Sequence, residues 1–463
     1  GQWSIISLGA GSSYWNVSTL KLREAQYAVR GNASNPARKG LVFKNIDIQY
    51  VRHGWYLLDC DDMVIEDCSV TLYTKHAYRL DRGCNNVTFR NCLADLSLGD
   101  ASWYDYSEPI PFGYLVNNGG AANTTVTFED CAAANNLRND QWKDIDNAPT
   151  GNFPGPEDVD LDGDGNFDKA YWNGDGFVSE NNTSNMTFIR CIAINNEDGG
   201  YDLKQASGST TTMLDCVAIQ NSRNYRFWDT TVNVDNSVSS FPRKRILGLS
   251  SNGLDSVWAS DATVSLNYFT AHGDGGTGVK EDGSGNVTLT NSIISSTSGS
   301  ATFKSGNVTL GAGTVTYKPG SGTNPSYVNA TASWDGSGDD MNSQTYGLTK
   351  GYNSDNVGNG GGLLNANGDA DFNVTPALSY GVSQDNGGST SIGGGGSSVT
   401  LTGNNWKRFE LDYTVTANTV LEVTINGSDT GEIMGIGFEE ENDKANAKRL
   451  FQIGGSDTWS NAW

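Results

Sequence analysis

Five cysteines occupy the same place in the same short phrase, and this repeat constrains the fold more than any other feature of the chain. The phrases are Val64-Ile-Glu-Asp-Cys68, Val87-Thr-Phe-Arg-Asn-Cys92, Val126-Thr-Phe-Glu-Asp-Cys131, Met186-Thr-Phe-Ile-Arg-Cys191 and Thr212-Met-Leu-Asp-Cys216. A relaxed sixth copy, Val287-Thr-Leu-Thr-Asn-Ser292, replaces the sulfur with a hydroxyl. Uninterrupted neighbours are 24 residues apart (Cys68 to Cys92) or 25 (Cys191 to Cys216). A period in the twenties made of short alternating stretches predicts an all-β chain wound as a right-handed parallel β-helix. The cysteines then stack inside it as buried thiols that behave as small hydrophobes. A thiol nucleophile or a cysteine metal cluster is the less favoured alternative, and seven cysteines, an odd number, do not read as a disulfide framework.

A Gly-aromatic segment precedes each phrase by roughly 14 residues. Aligned on it, Trp55, Tyr78, Tyr114, Phe177, Tyr201 and Tyr225 form an inward row. Strand side chains alternate between faces, so the residues two later (Leu57, Leu80, Val116, Ser179, Leu203 and Phe227) also point inward. The outward rows are then Tyr56, Arg79, Leu115, Val178, Asp202 and Arg226, followed by Leu58, Asp81, Asn117, Glu180, Lys204 and Trp228. Asn136, Asn196 and Asn221 follow the Cys phrase at similar distances and predict a ladder of side-chain amides.

The coil pattern spans residues 1–330, and a loop-rich cap without clear periodicity over 331–385 completes a β-helix catalytic domain expected over 1–385. Residues 386–398 read as a Gly/Ser linker, and 399–463 alternate as a small antiparallel β-sandwich-like module. Two excursions, Leu96 to Phe112 and Leu137 to Trp172, break the period where binding sites are often built. The opening Gly1-Gln-Trp-Ser has no signal-peptide pattern and enters a strand at once, which predicts a processed or truncated N-terminus. Gly-, Asn-, Ser- and Thr-rich composition suits a secreted, extracellular protein, and a single copy is expected. No apolar run approaches the length of a membrane span.

Net charge is −23, from 30 basic and 53 acidic residues, which argues against nucleic acid and anionic membranes. With three histidines, a zinc or Ser-His enzyme has little support. The charges that matter cluster on one outward face. Neighbouring coils lie about 4.8 Å apart, so Asp202 stacks on Arg226 and Glu180 on Lys204. Asp175, Glu197, Asp198 and Asp202 fall in the same neighbourhood, and close carboxylates repel unless protonated or bound to a cation. Oxygen-only ligands favour Ca2+. An acidic, solvated turn region neutralised by Lys204 and Arg226 is the plain alternative. Arg79, Glu180 and Trp228, outward on the same face, are the candidate substrate contacts. In the second excursion Asp160, Asp162, Asp164 and Asp168 approximate positions 1, 3, 5 and 9 of an EF-hand loop, with Gly165 at the turn. Tyr171 stands where the bidentate acid belongs, so this reads as a structural loop calcium site, or else as a flexible acidic loop.

The run Asp175-Gly-Phe177, Asp198-Gly-Gly-Tyr-Asp202 and Asn224-Tyr-Arg-Phe227 resembles the core of family 9 polysaccharide lyases, which are pectate-lyase-like β-helix enzymes. The match covers residues 170–230 well and the remaining coils only as a fold. The resemblance implies Asp175, Asp198 and Asp202 as calcium ligands. Gly199 stands where that family carries a second aspartate, with Glu197 one residue earlier as the substitute. It implies calcium-assisted β-elimination on an acidic polysaccharide, with the base position falling on Arg226 where the family has lysine. Arginine, with a pKa of about 12.5–13.8, is a poor base, whereas lysine is more readily tuned. Lys204 therefore competes for the role. Asn404-Asn-Trp-Lys-Arg-Phe409 and Gly431-Glu-Ile-Met-Gly-Ile-Gly-Phe438 resemble carbohydrate-binding modules attached to marine-type polysaccharide-degrading enzymes. Two other functions stay open. One is a hydrolase pairing Asp175 with Asp198 or Glu180; the other is a non-catalytic glycan-binding or adhesin scaffold, which this fold also supports.

Overall fold

The computed structural model describes residues 3–96 (except 35), 111–136 (except 118–122 and 124), 174–243 (except 183–184) and 254–327, with shorter stretches between 372 and 456. The chain divides into two units, 1–357 and 358–463. Strands of the first unit join one 29-stranded sheet in which each strand pairs in parallel with its counterpart one coil away. This is a parallel β-helix, and among the described residues it contains no helix. Nor is any helix there long and apolar enough to cross a membrane.

Each regular coil has three strands. The first carries the aromatic row (Asp175–Asn182, Gly199–Gln205, Arg223–Trp228, Asp255–Ser260). The second carries the Cys phrase (Asn185–Ile189, Thr210–Leu214, Thr231–Asp235). The third is short (Ile192–Ile194, Val217–Ile219, Val238–Ser240). The aromatic register is the one the spacing predicts: Trp55 pairs with Tyr78, Tyr78 with Tyr114, Tyr114 with Phe177, Phe177 with Tyr201 and Tyr201 with Tyr225. From Tyr78 onward the rings stack with centroids 4.7, 4.7, 5.0 and 5.1 Å apart, so the coil rise sets the stacking distance. Phe89, Phe128 and Phe188 make a second stack that meets the first edge-on, as at Tyr114–Phe128. Such pairs contribute about 0.5–1.5 kcal/mol each beyond area burial.

The two repeat motifs are chemically coupled. An inward tyrosine must hydrogen-bond its hydroxyl. Tyr78, Tyr114, Tyr201 and Tyr225 donate to the carbonyls of Cys68, Cys92, Cys191 and Cys216, at 2.9, 2.7, 2.7 and 3.0 Å. The cysteines are free and buried, and each thiol lies on the carbonyl two residues back, as Cys191 does on Ile189 at 3.4 Å. Ser292 makes the same bond to Thr290, and Ser237, a further copy of the phrase that relaxed matching overlooks, makes it to Asp235. The residue before each cysteine is left-handed: φ is 52° at Asp67, 48° at Asn91, 53° at Asp130 and 55° at Asp215. Asp and Asn tolerate that region, which accounts for their place in the phrase.

The amide ladder is present and longer than the spacing suggests. Asn136 Nδ2 donates to Asn196 Oδ1 (2.7 Å), Asn196 to Asn221 (2.8 Å), Asn221 to Asn224 (2.9 Å) and Asn224 to Ser239 Oγ (2.8 Å). Two details differ from the sequence reading. A bulge pairs Leu58 with Arg82, so Asp81 no longer stacks on Leu58, although Asn117 Nδ2 still donates to it at 2.7 Å. Ser389–Gly393, inside the stretch read as linker, pairs antiparallel with Ser398–Thr402. Alternating Thr390 and Ile392 give that segment a strand register which glycine content alone hides. The second unit also holds the antiparallel pairs Leu378–Ser379 with Lys407–Arg408 and Met434–Gly437 with Leu450–Gly454.

Candidate metal and catalytic site

Asp175 opens its strand two residues before the inward Phe177, and Asp198 and Asp202 bracket the start of the equivalent strand one coil on. Register brings the three side chains together: one carboxylate oxygen from each lies within 4.8 Å of the others, and all three residues are buried. Asp202 stacks on Arg226 and Glu180 on Lys204, as the outward rows require. Arg226 Nη1 reaches Asp202 Oδ2 at 3.1 Å and Asp198 Oδ2 at 3.3 Å. Lys204 Nζ reaches Glu180 Oε1 at 2.7 Å and Asp202 Oδ2 at 3.2 Å. Among the described residues, four carboxylates (Asp175, Glu180, Asp198, Asp202) meet two cations (Lys204, Arg226), an acidic excess in a largely buried cluster.

The electrostatics follow from that excess. Burial pushes the Asp175 carboxyl well above the usual carboxylate range, and the charges of Asp198 and Asp202 push it the same way, against Lys204 and the Gly199 N–H. Burial pulls the Lys204 ammonium down, yet Asp202, Glu180 and Asp175 outweigh it and hold the group above its ordinary value. Asp202 Oδ1 is buried with no hydrogen-bond partner among the described residues, although Oδ2 carries both ion pairs. A buried carboxylate oxygen without a donor is costly. A hard cation would satisfy it, and an oxygen-only donor set fits calcium, which takes 6–8 oxygens and would find only part of them here.

Glu197 departs from the expected set. Its carboxylate lies 3.7 Å from Arg243 Nη1, and the converging group comprises Asp175, Asp198 and Asp202 without it. Glu197 thus pairs with Arg243 while the adjacent Asp198 pairs with Arg226, just after the left-handed Asn195 (φ 55°). Arg79 pairs with Asp81 at 2.7 Å and stands three coils from Asp202 in the same column, beyond Leu115 and Val178. Trp228 lies beside the site: the Arg226 guanidinium is 5.0 Å from its ring and 5.4 Å from that of Trp258. Asp160, Asp162, Asp164 and Asp168 lie outside the described residues.

Trp258 is the neighbour that sequence alignment missed. It pairs with Arg226 in the next coil and donates from Nε1 to Asp282 at 2.7 Å. Its coil begins 32 residues after the previous one and carries Val257 in the aromatic row. Both the period and the marker residue therefore fail there; only the alternation of Asp255-Ser-Val-Trp-Ala-Ser260 could have found it.

The glycines of the Asp-Gly-Phe and Asp-Gly-Gly-Tyr runs have a structural reason independent of any metal. A Cβ on Gly176 would lie 2.6 Å from the Gly200 carbonyl and 2.9 Å from Asn196 Nδ2; one on Gly200 would meet Asn221 Nδ2 and the Asn224 carbonyl at 2.6 Å each. Those positions clear space for the next coil and the amide ladder.

No family model, no curated protein and no solved structure matches this chain.

Proposed function

We propose that the first unit is a calcium-dependent polysaccharide lyase acting on a uronate-containing polymer by β-elimination. The observation that carries this reading is the convergence of three buried aspartates from two adjacent coils beside Lys204 and Arg226. Asp175, Asp198 and Asp202 would hold the ion. A bound calcium ion would supply positive charge that offsets the aspartates, pairs with the substrate carboxylate and acidifies the proton α to it.

Lys204 and Arg226 divide the remaining tasks. Arg226, fixed between two aspartates and against two indoles, is built to orient a carboxylate through its planar fork. Lys204 stands one row over and is more exposed, its side chain 27 % against 14 % for Arg226. Once the aspartate charge is offset, burial favours its neutral amine, which takes the α proton while the 4-linked sugar leaves and the double bond forms. Hydrolysis is the weaker reading: Asp175 is protonated more readily than a usual carboxylate, but it is wholly buried and so poorly placed to reach a glycosidic oxygen.

The test is ultraviolet absorbance of the full chain with a panel of uronate polysaccharides, with calcium and with chelator. A calcium-dependent rise supports elimination. New reducing ends without absorbance would replace the lyase with a hydrolase, and neither signal across the panel would leave a glycan-binding scaffold.

A further inference from the structure

The outward columns differ on the two sides of the acidic cluster, and the difference decides where a polymer can lie. Toward the N-terminus the column of Asp175 runs back through Phe112, His76, His53 and Tyr27. The column of Asp202 runs back through Val178, Leu115, Arg79, Tyr56 and Arg30. Strand alternation points Leu115 and Val178 outward, yet with Phe112 they form a buried apolar group. Beyond that group Arg79 holds Asp81 at 2.7 Å and lies 4.8 Å over Tyr56, while Arg30 lies 4.5 Å over Tyr27. Arg52 and Lys75 stand one residue before His53 and His76. On this side the face is closed from the first coil.

Toward the C-terminus it is open. The column of Glu180 and Lys204 continues through Trp228 and Ser260, with Asp282 next to Ser260 just past the Ala259–Glu281 pair. The column of Asp202 and Arg226 continues through Trp258 and Lys280 to Ser305. Lys204, Trp228, Ser260 and Lys280 are partly exposed, and Asp282 and Ser305 are exposed. Trp258 is the buried support beneath them: its Nε1 donates to Asp282 at 2.7 Å, and its ring meets that of Trp228 with centroids 4.4 Å apart. The charges on these coils are paired, Lys280 with Asp282 at 2.7 Å and Arg223 with Asp255 at 3.5 Å. A lysine and an aspartate that close present a dipole and no net charge.

We infer that the polymer extends from the acidic cluster over the C-terminal coils, and that the sugar next to the uronate is neutral and lies on Trp228 and Ser260. The inference rests on the uronate reading of the cluster and deepens it, from an acidic polysaccharide to one in which neutral sugars adjoin the uronates. A partly exposed indole offers apolar contact to the C–H face of a pyranose, while a serine hydroxyl and a fixed ion pair offer hydrogen bonds to sugar hydroxyls. A second carboxylate placed here would lose water and, among the described residues of these coils, would meet cations already held by Asp255 and Asp282. A neutral residue carries no such penalty.

Fluorine NMR of the full chain labelled with 5-fluorotryptophan reads this surface directly, the Trp228 resonance being identified by its loss in Trp228→Phe. The probes are three oligosaccharides of equal length: one alternating uronate with neutral hexose, one of uronate alone and one of neutral hexose alone. Chelator is present, so neither calcium nor cleavage enters. Movement of the Trp228 resonance by the alternating probe at a concentration about tenfold below that needed with the oligouronate supports the inference. An equal response to the oligouronate, or an unmoved Trp228 with both hexose-containing probes, overturns it. With calcium restored, kcat/KM from absorbance should favour the alternating probe over the oligouronate by about tenfold. Trp228→Ala is expected to remove most of that preference, chiefly through KM. Ser260→Lys, which keeps the indole and adds a cation, should narrow it from the oligouronate side. A preference unchanged in both variants overturns the inference. Absence of absorbance on every probe while Trp228 still answers the alternating one removes elimination and upholds the subsite, so the two failures are distinguishable.

Discussion

The acidic cluster at Asp175, Asp198 and Asp202 and the basic cluster at Arg52, His53, Lys75, His76 and Arg79 are built on the same backbone positions, a few coils apart. The acidic cluster concentrates like charge in a buried place and, among the described residues, leaves a carboxylate oxygen of Asp202 without a donor. The basic cluster spreads its charge over rings at a partly exposed surface. The β-helix is therefore indifferent to what its outward columns carry, because the inward aromatic and amide ladders hold the coil. Chemistry can change from one turn to the next without altering the register.

The sharpest break in that comparison comes from Asp202→Asn. It removes the charge on which Lys204 and Arg226 converge, and calcium-dependent double-bond formation is expected to fall by about 10²–10³-fold, as read in an absorbance assay. Histidine NMR of the same variant should leave His53 and His76 unmoved, since they stand coils away.

Gly54→Ala and Gly200→Ala test whether the backbone demand is the same at both clusters. A Cβ on Gly54 would sit 2.5 Å from the Ala77 carbonyl, much as one on Gly200 meets the Asn224 carbonyl. Each substitution is expected to cost about 1–3 kcal/mol, by denaturant unfolding. A large cost at Gly200 alone would tie that glycine to the acidic cluster rather than to the coil.

The pH dependence of stability separates the clusters further. Asp175 binds its proton more tightly folded than unfolded, so in chelated protein its contribution is full below the ordinary carboxylate value of 3.8 and is lost as pH rises through its raised folded value. Asp175→Asn should accordingly raise the Tm of the chelated protein near neutral pH and give no gain below about pH 3.8. An unchanged Tm at both pH values would remove the charge strain assigned to this residue.

His76→Phe works on the other cluster. Replacing a buried imidazole whose Nδ1 has no partner among the described residues, stacked on Phe112, is expected to gain about 1 kcal/mol. The smallest effect is reserved for the scaffold between them. Cys216→Ser should change stability by no more than about 1 kcal/mol, because Ser237 and Ser292 already make the equivalent bond.

Much of the coil could be read from residue order. The phrase and the aromatic row set the register, and that register carried the Asp202–Arg226 and Glu180–Lys204 pairs without any knowledge of three-dimensional contacts. Reading failed where the marker or the period lapsed. Trp258 follows a 32-residue coil and stands in one that has Val257 where the inward aromatic belongs, a bulge takes Asp81 off Leu58, and Ser237 replaces the sulfur that defined the phrase. Glycine content disguised a strand at Ser389–Gly393.

The sequence by itself determined the solenoid, its period and which residues face out, because strand alternation and a repeated turn are local properties. Only the tertiary structure decided that Glu197 turns to Arg243 while Asp198 turns to Arg226. The two partners come from different later segments of the chain, Arg226 one coil on and Arg243 beyond the next short strand, so residue order alone does not say which acid meets which cation. Tertiary structure alone also brought imidazoles, guanidinium groups and tyrosines together at the other end of the columns that hold the aspartates. Stacking converts separations of 21 residues (Thr210 to Thr231) to 63 residues (Phe112 to Asp175) into steps of one coil, and the charge that accumulates along a column is a property of the stack.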